Sequence, residues 1–141
     1  MKKSIITLTI FFCLISLACQ QAAQPPVREN IKTSTMRVVK YDNMYFFSGI
    51  TGRNLDGSGY PEGITAQMEN LMEKYRNALS ELGLTFDDII KANVYITDIA
   101  DKPAMNKVYN SQFAENRPMR VCVVVGLEGE AVVEMDAIAV K

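Results

Sequence analysis

Four side chains near the C-terminus interrupt two otherwise apolar runs: Arg120 and Cys122 within residues 118–125, and Glu134 and Asp136 within residues 131–140. Short Val-rich runs of this kind read as strands, in which successive side chains point to opposite faces. Arg120 and Cys122 therefore share a face, and so do Glu134 and Asp136. Gly126 and Gly129 suggest a hairpin between the runs. Turned about Glu128, that hairpin sets Cys122 opposite Glu134 and Arg120 opposite Asp136, within cross-strand reach. Two readings of the group stand side by side. One is a cross-strand ion pair, worth about 0–1 kcal/mol if exposed. The other is an anion site, where a planar guanidinium grips a carboxylate through two parallel hydrogen bonds and a nearby carboxylate handles water or a proton.

Other chemistries lack the residues they need. The chain has no His, which removes Ser-His-Asp and Cys-His catalysis and, with one Cys beyond residue 19, argues against a zinc site. Residues 52–59 are Gly-rich but lack the terminal Lys and the strand-to-helix setting of a phosphate loop, so they read as a surface turn. With 15 basic and 16 acidic residues the chain has a formal net charge of −1, which argues against a nucleic-acid partner.

The elements that must position the four side chains follow from periodicity. Residues 36–41 and 44–49 read as two strands joined by a turn at Asp42-Asn43. Over residues 63–82, Ile64, Met68, Leu71, Met72, Tyr75, Leu79 and Leu82 recur at helical spacing, and Gly83 supplies the stop. A third strand spans 89–96. A second helix opens at Asp101 and Pro103 and turns Met105, Val108, Tyr109 and Phe113 inward. The order β-β-α-β-α-β-β gives an α+β arrangement with helices on one face of a sheet. The alternation of Val121, Val123 and Val125 makes a second apolar face that needs covering.

The stretch Arg117-Pro118-Met119-Arg120-Val121-Cys122, followed by Val133-Glu134-Met135-Asp136-Ala137-Ile138-Ala139-Val140, resembles the end of the RidA/YjgF enamine/imine deaminases. Ile90-Lys91-Ala92-Asn93-Val94-Tyr95-Ile96-Thr97-Asp98-Ile99, Met105-Asn106-Lys107-Val108-Tyr109 and Tyr45-Phe46-Phe47-Ser48-Gly49 resemble further segments of that family, in order, over about residues 34–141. The resemblance implies a chorismate-mutase-like fold and a homotrimer with a central barrel and clefts between subunits. It also implies hydrolysis of small 2-imino or 2-enamino acids to 2-oxo acids and ammonia, without metal or organic cofactor. By the same resemblance, Arg120 holds the substrate carboxylate with help from the backbone at Cys122, and Glu134 activates water. Gly49 and Asn106 contribute from an adjoining subunit, with Ser48 as a neighbouring candidate. Tyr109 is expected to pack rather than bind. Thr35 stands where such deaminases carry a Tyr that closes the site. A trimeric binding module that captures small carboxylates without turnover, or a chaperone-like interaction protein, are the alternatives.

The N-terminus carries an address. Lys2 and Lys3 precede an apolar run from Ile5 to Ala18 that is short for a membrane span and reads as an export signal. Residues 14–19 resemble a bacterial lipoprotein signal with Cys19 as the lipidated residue; secretion after cleavage at Ala18 is the other reading. Loss of residues 1–18 removes two of the 15 basic residues and none of the 16 acidic ones, for a net charge of −3. The expected organisation is a signal over 1–18, a polar tether over 19–33 and one domain over 34–141. The expected location is a bacterial cell envelope, periplasmic or lipid-anchored, with the membrane touched only through Cys19.

Overall fold

A computed structural model describes residues 25–113 and 115–141. The proposed signal, Cys19 and the first part of the tether lie outside them. Six strands form one sheet: β1 (Arg28–Lys32), β2 (Arg37–Tyr41), β3 (Met44–Thr51), β4 (Ile89–Ile96), β5 (Met119–Val124) and β6 (Val133–Val140). Two helices, α1 (Gly63–Glu81) and α2 (Lys102–Asn110), pack on one face. The α+β class and the one-sided helix layer are as expected. One strand is added at the start, because Arg28–Lys32, assigned to the tether by sequence, pairs antiparallel with β2.

Local chemistry accounts for the elements. Asp42 adopts φ 57° in the turn between β2 and β3, a conformation that Asp tolerates better than bulkier residues. Along α1, Ile64, Met68, Leu71, Met72, Tyr75 and Leu79 are buried as the spacing indicates, Ala78 joins them, and Leu82 is only half-buried. The helix ends where Gly83, at φ 66°, donates to Ser80 O (3.1 Å) while Leu84 N donates to Leu79 O (2.8 Å), satisfying carbonyls that would otherwise be orphaned. The second helix starts differently from the expectation. Asp98 caps a 3-10 turn over Ile99–Asp101 by accepting from Ala100 N (2.9 Å), and Asp101 makes no side-chain cap. Pro103 sits in the first turn of α2, where its missing N–H costs nothing.

The strand order is β1-β2-β3-β6-β4-β5. This overturns the expected C-terminal hairpin. β5 and β6 do not pair; β4 lies between them, antiparallel to β6 and parallel to β5. Residues 125–132 instead cross the end of β4, held by Val125 N to Ile96 O (2.9 Å) and Thr97 N to Val132 O (3.3 Å). Inside the sheet, Val38, Phe47, Val94, Val133 and Met135 meet the helices in one core. The opposite face has no helix among the described residues, and it leaves Met119 81% and Val121 51% exposed. No described helix is long and apolar enough to cross a membrane.

Candidate functional site

Register decides where the charged side chains go. Arg120 pairs with Ala92 and Cys122 with Val94, both buried residues of β4 beneath the helices. Arg120 and Cys122 thus face the helix layer. Glu134 alternates with buried Val133 and Met135 and pairs with Tyr95 and Thr51, so it points to the open face. Within one chain Arg120 and Glu134 stand on opposite sides of the sheet. Neither expected cross-strand pair exists: Asp136 is opposite Asn93, and its carboxylate accepts from Asn93 Nδ2 (2.8 Å) and Tyr95 OH (3.1 Å). The ion-pair reading of Arg120 and Asp136 falls with the hairpin.

On the helix side, the Arg120 guanidinium lies over the Tyr109 ring, 4.6 Å from its centroid, and Nη1 approaches Met105 Sδ at 3.7 Å. Stacking of this kind orients the fork while leaving its N–H groups available. The ring is itself fixed by Phe113, 4.8 Å away between centroids. Asn106 follows Met105 on α2 and stands one turn before Tyr109, a spacing that places both on neighbouring helix surface. Asn106 Oδ1 and Tyr109 OH are buried and have no hydrogen-bond partner among the described residues. Burial pushes the Tyr109 hydroxyl up to about 12 against the opposing pull of the Arg120 charge, so it remains a neutral phenol. Buried polar atoms are rarely left unpaired, and two of them lie on the helix whose Tyr109 ring stacks the Arg120 guanidinium, which has no carboxylate partner among the described residues. Tyr109, expected to pack, does so with its ring and offers its hydroxyl as well.

On the open side, Glu134 stands over Gly49. A Cβ built on Gly49 would collide with Glu134 Oε1, so only glycine admits the carboxylate in this position. Gly49 and Ser48 are both exposed, in the irregularity of the β3–β6 register between Phe47 and Ile50. Asp136, through its hydrogen bond and then its charge, holds the Tyr95 hydroxyl above its usual range. Tyr75 secures β6 from below by donating to Met135 O (2.9 Å). Burial, followed by the Asp136 and Glu134 charges, raises this hydroxyl as well. The start of β6 is tied down by Gln67, a buried residue of α1 that sequence reading passed over. Its Nε2 donates to Pro61 O (3.1 Å) and Glu130 O (2.9 Å), and its Oε1 accepts from Val132 N (2.9 Å). The signal was available: Gln67 falls three residues after Ile64, in the phase of the apolar stripe.

Thr35 does not stand free in either half. Its hydroxyl donates to Lys74 O on α1 (2.9 Å). Cys122 is half-buried, and its thiol forms no disulfide among the described residues. No three His, Cys, Asp or Glu side chains among the described residues are grouped to hold a metal ion.

These features define an α+β protein with a stacked guanidinium between sheet and helices and a carboxylate on its bare sheet face. The family model described as Endoribonuclease L-PSP matches residues 30–141. The 3-aminoacrylate deaminase RutC of Acinetobacter baylyi is 34% identical over 102 residues, covering 71% of this chain and 81% of its own. A RutC family protein of Pyrococcus abyssi is 33% identical over 112 residues, covering 74% and 84%. Among solved structures, RidA from an Antarctic Psychrobacter superposes with a TM-score of 0.75 at 28% identity, covering 81% of this chain and 100% of that one. TdcF of Escherichia coli with bound serine gives 0.73 at 29% identity, covering 80% and 98%. The chain belongs to the Endoribonuclease L-PSP family, the group that includes these RutC and RidA proteins.

Proposed function

We propose that the protein is a hydrolytic deaminase of small 2-imino and 2-enamino acids, acting at clefts between the subunits of a homotrimer. The observation that carries this reading is the Arg120 guanidinium stacked on Tyr109 of α2, a helix that also carries two buried polar atoms, Asn106 Oδ1 and Tyr109 OH, without partners among the described residues. Arg120 binds the substrate carboxylate through paired charge-assisted hydrogen bonds, with Asn106 and the backbone at Cys122 completing the contact. A fixed carboxylate holds the C=N carbon where water can attack. Glu134 takes a proton from that water as the C–O bond forms and gives it to the nitrogen, then moves the proton of the new hydroxyl to the amine as the C=O bond forms. The C–N bond breaks, ammonia leaves, and the 2-oxo acid remains. A relative named as a 3-aminoacrylate deaminase and a related structure with bound serine agree with a small substrate carrying a carboxylate.

The same geometry supports an assembly of copies, which we take to be the trimer. Arg120 and Glu134 face opposite sides of one sheet, so a substrate touching both needs a second copy to bring the Glu134, Gly49 and Ser48 side against the Arg120 side. The exposed Met119, Val121 and Val123 supply apolar surface for that contact. An RNA-cleaving role, the one in the family's description, gains little from a chain without His and with a net charge of −1.

A non-catalytic module that captures small carboxylates is the second reading. It is favoured by Thr35, which bonds to α1 instead of closing the site. The two separate on one assay: 2-oxobutanoate formation from 2-iminobutanoate generated in situ, above the spontaneous rate, for wild type and Arg120→Ala. Acceleration lost in the variant supports the deaminase; a wild-type rate equal to the uncatalysed one leaves the binding module. Light scattering at three times the chain mass checks the assembly. Export with lipid on Cys19 belongs to the same proposal, and mass spectrometry of the mature protein with a Cys19→Ser control tests it.

A further inference from the structure

The open end of β3 carries a second polar cluster, which the reaction at Glu134 does not use. Thr51, the last residue of β3, is the register partner of Glu134. Its hydroxyl is hydrogen-bonded to Tyr60 OH (3.0 Å), and its carbonyl accepts from Lys74 Nζ (3.2 Å). The Arg53 guanidinium lies over the Tyr60 ring, 5.2 Å from the centroid. Residues 52–60 are held in place beneath it. Asn54 N donates to Gly59 O (2.8 Å), Gly57 N donates to Asn54 O (2.9 Å), and Asn70 of α1 donates to Asn54 Oδ1 (3.0 Å).

Two cations therefore converge on the strand end that carries Glu134's neighbour. Among the described residues neither Lys74 nor Arg53 has an ion-pair partner. The carboxylate within the loop, Asp56, is committed to Ser58 N (2.8 Å). Burial first, and the Arg53 charge second, hold the Lys74 ammonium below its usual range. An anion seated between them would offset both costs at once.

We propose that Lys74 and Arg53 receive a second anionic group of the substrate, so that the preferred substrate is a 2-imino acid whose side chain ends in a carboxylate. This rests on the proposed deaminase site. The substrate's first carboxylate lies on Arg120 and its reacting carbon at Glu134, directly across the β3–β6 ladder from Thr51. The distal carboxylate reaches the cation pair, and Tyr60 keeps Arg53 aimed at it. Arg53 and Lys74 act as specificity residues and touch no reacting atom.

The test uses the full chain and compares 2-oxoglutarate with 2-oxobutanoate by calorimetry. In parallel, turnover is compared for imines generated in situ from glutamate and from 2-aminobutanoate. Wild type is expected to bind the dicarboxylate about tenfold more tightly. Arg53→Gln, a substitution on an exposed side chain that leaves the core alone, and Lys74→Met should each bring the ratio toward one. Equal binding of the two acids by wild type, or a ratio that both substitutions leave intact, overturns the proposal. The calorimetric arm needs no turnover. If neither imine is hydrolysed but the dicarboxylate preference and its loss are both seen, the deaminase reading falls and the second anion site stands.

Discussion

Arg120 and Glu134 are mounted in opposite ways. Arg120 faces the helix layer, stacked on a ring that Phe113 holds, with the Met105 sulfur beside it. Glu134 stands on the bare face over a glycine, with Thr51 and Tyr95 as its strand neighbours. The difference suits the roles proposed for them. A guanidinium that must fix a ligand gains from lost freedom and reduced competition with water, whereas a carboxylate that must exchange protons with water needs access and room.

That contrast can be broken from either side. The largest effect is expected for Glu134→Gln, which keeps the shape and removes the base: kcat should fall about 10²–10⁴-fold with the assembly unchanged by light scattering. Wild-type turnover in this variant would move the proton-transfer role elsewhere. Gly49→Ala attacks the same half through position alone. Its methyl must displace the Glu134 carboxylate, and kcat/KM should fall on the order of 100-fold, as misplacement of a reacting group does. A crystal structure with Glu134 unmoved would refute that account. On the other half, Arg120→Lys keeps the charge but loses the planar fork. KM should rise more than kcat falls, for a loss of roughly 1.5–3 kcal/mol of binding.

Smaller effects sharpen the comparison. Gln67→Leu should lower unfolding stability by about 1–3 kcal/mol, because Val132 N, Pro61 O and Glu130 O lose their partner near the start of β6. Denaturant unfolding measures it, and an unchanged midpoint would remove Gln67 as a tie between the loops. The smallest effect concerns Tyr109. Burial raises its pKa to about 12, so the phenol stays protonated as pH rises through the ordinary tyrosine range. The pH–rate profiles of wild type and Tyr109→Phe should therefore share the same shape below about pH 11. A limb near pH 10 that vanishes in the variant would show an ordinary phenol in contact with solvent.

Much of this molecule was legible in the chain itself. The buried stripe of α1, the stop at Gly83, the turn at Asp42 and β4 over Ile89–Ile96 follow from spacing and from local backbone chemistry. The shared faces of Arg120 with Cys122 and of Glu134 with Asp136 are also as read, since alternation is a property of one strand. What failed was the relation between strands. Two apolar runs joined by a Gly-containing link look like a hairpin, but residues 125–132 step over β4, whose Ala92, Val94 and Ile96 side chains are all fully buried beneath the helices. The Arg28–Lys32 strand was missed because three charges and an Asn in five residues carry almost no apolar signal; it exists because β2 offers an edge to pair with.

The sequence by itself determined which side chains each element buries, because period-2 and period-3.6 patterns act within a few residues. It also determined the chemistry on offer near the C-terminus: one guanidinium, one thiol and two carboxylates in the last two strands, with no imidazole anywhere in the chain. Only the tertiary structure decided which strands are neighbours, and thereby that Arg120 and Glu134 lie on opposite faces. Strand pairing is settled by the competition of all edges for partners and of all apolar faces for the same two helices, a choice that no local segment contains.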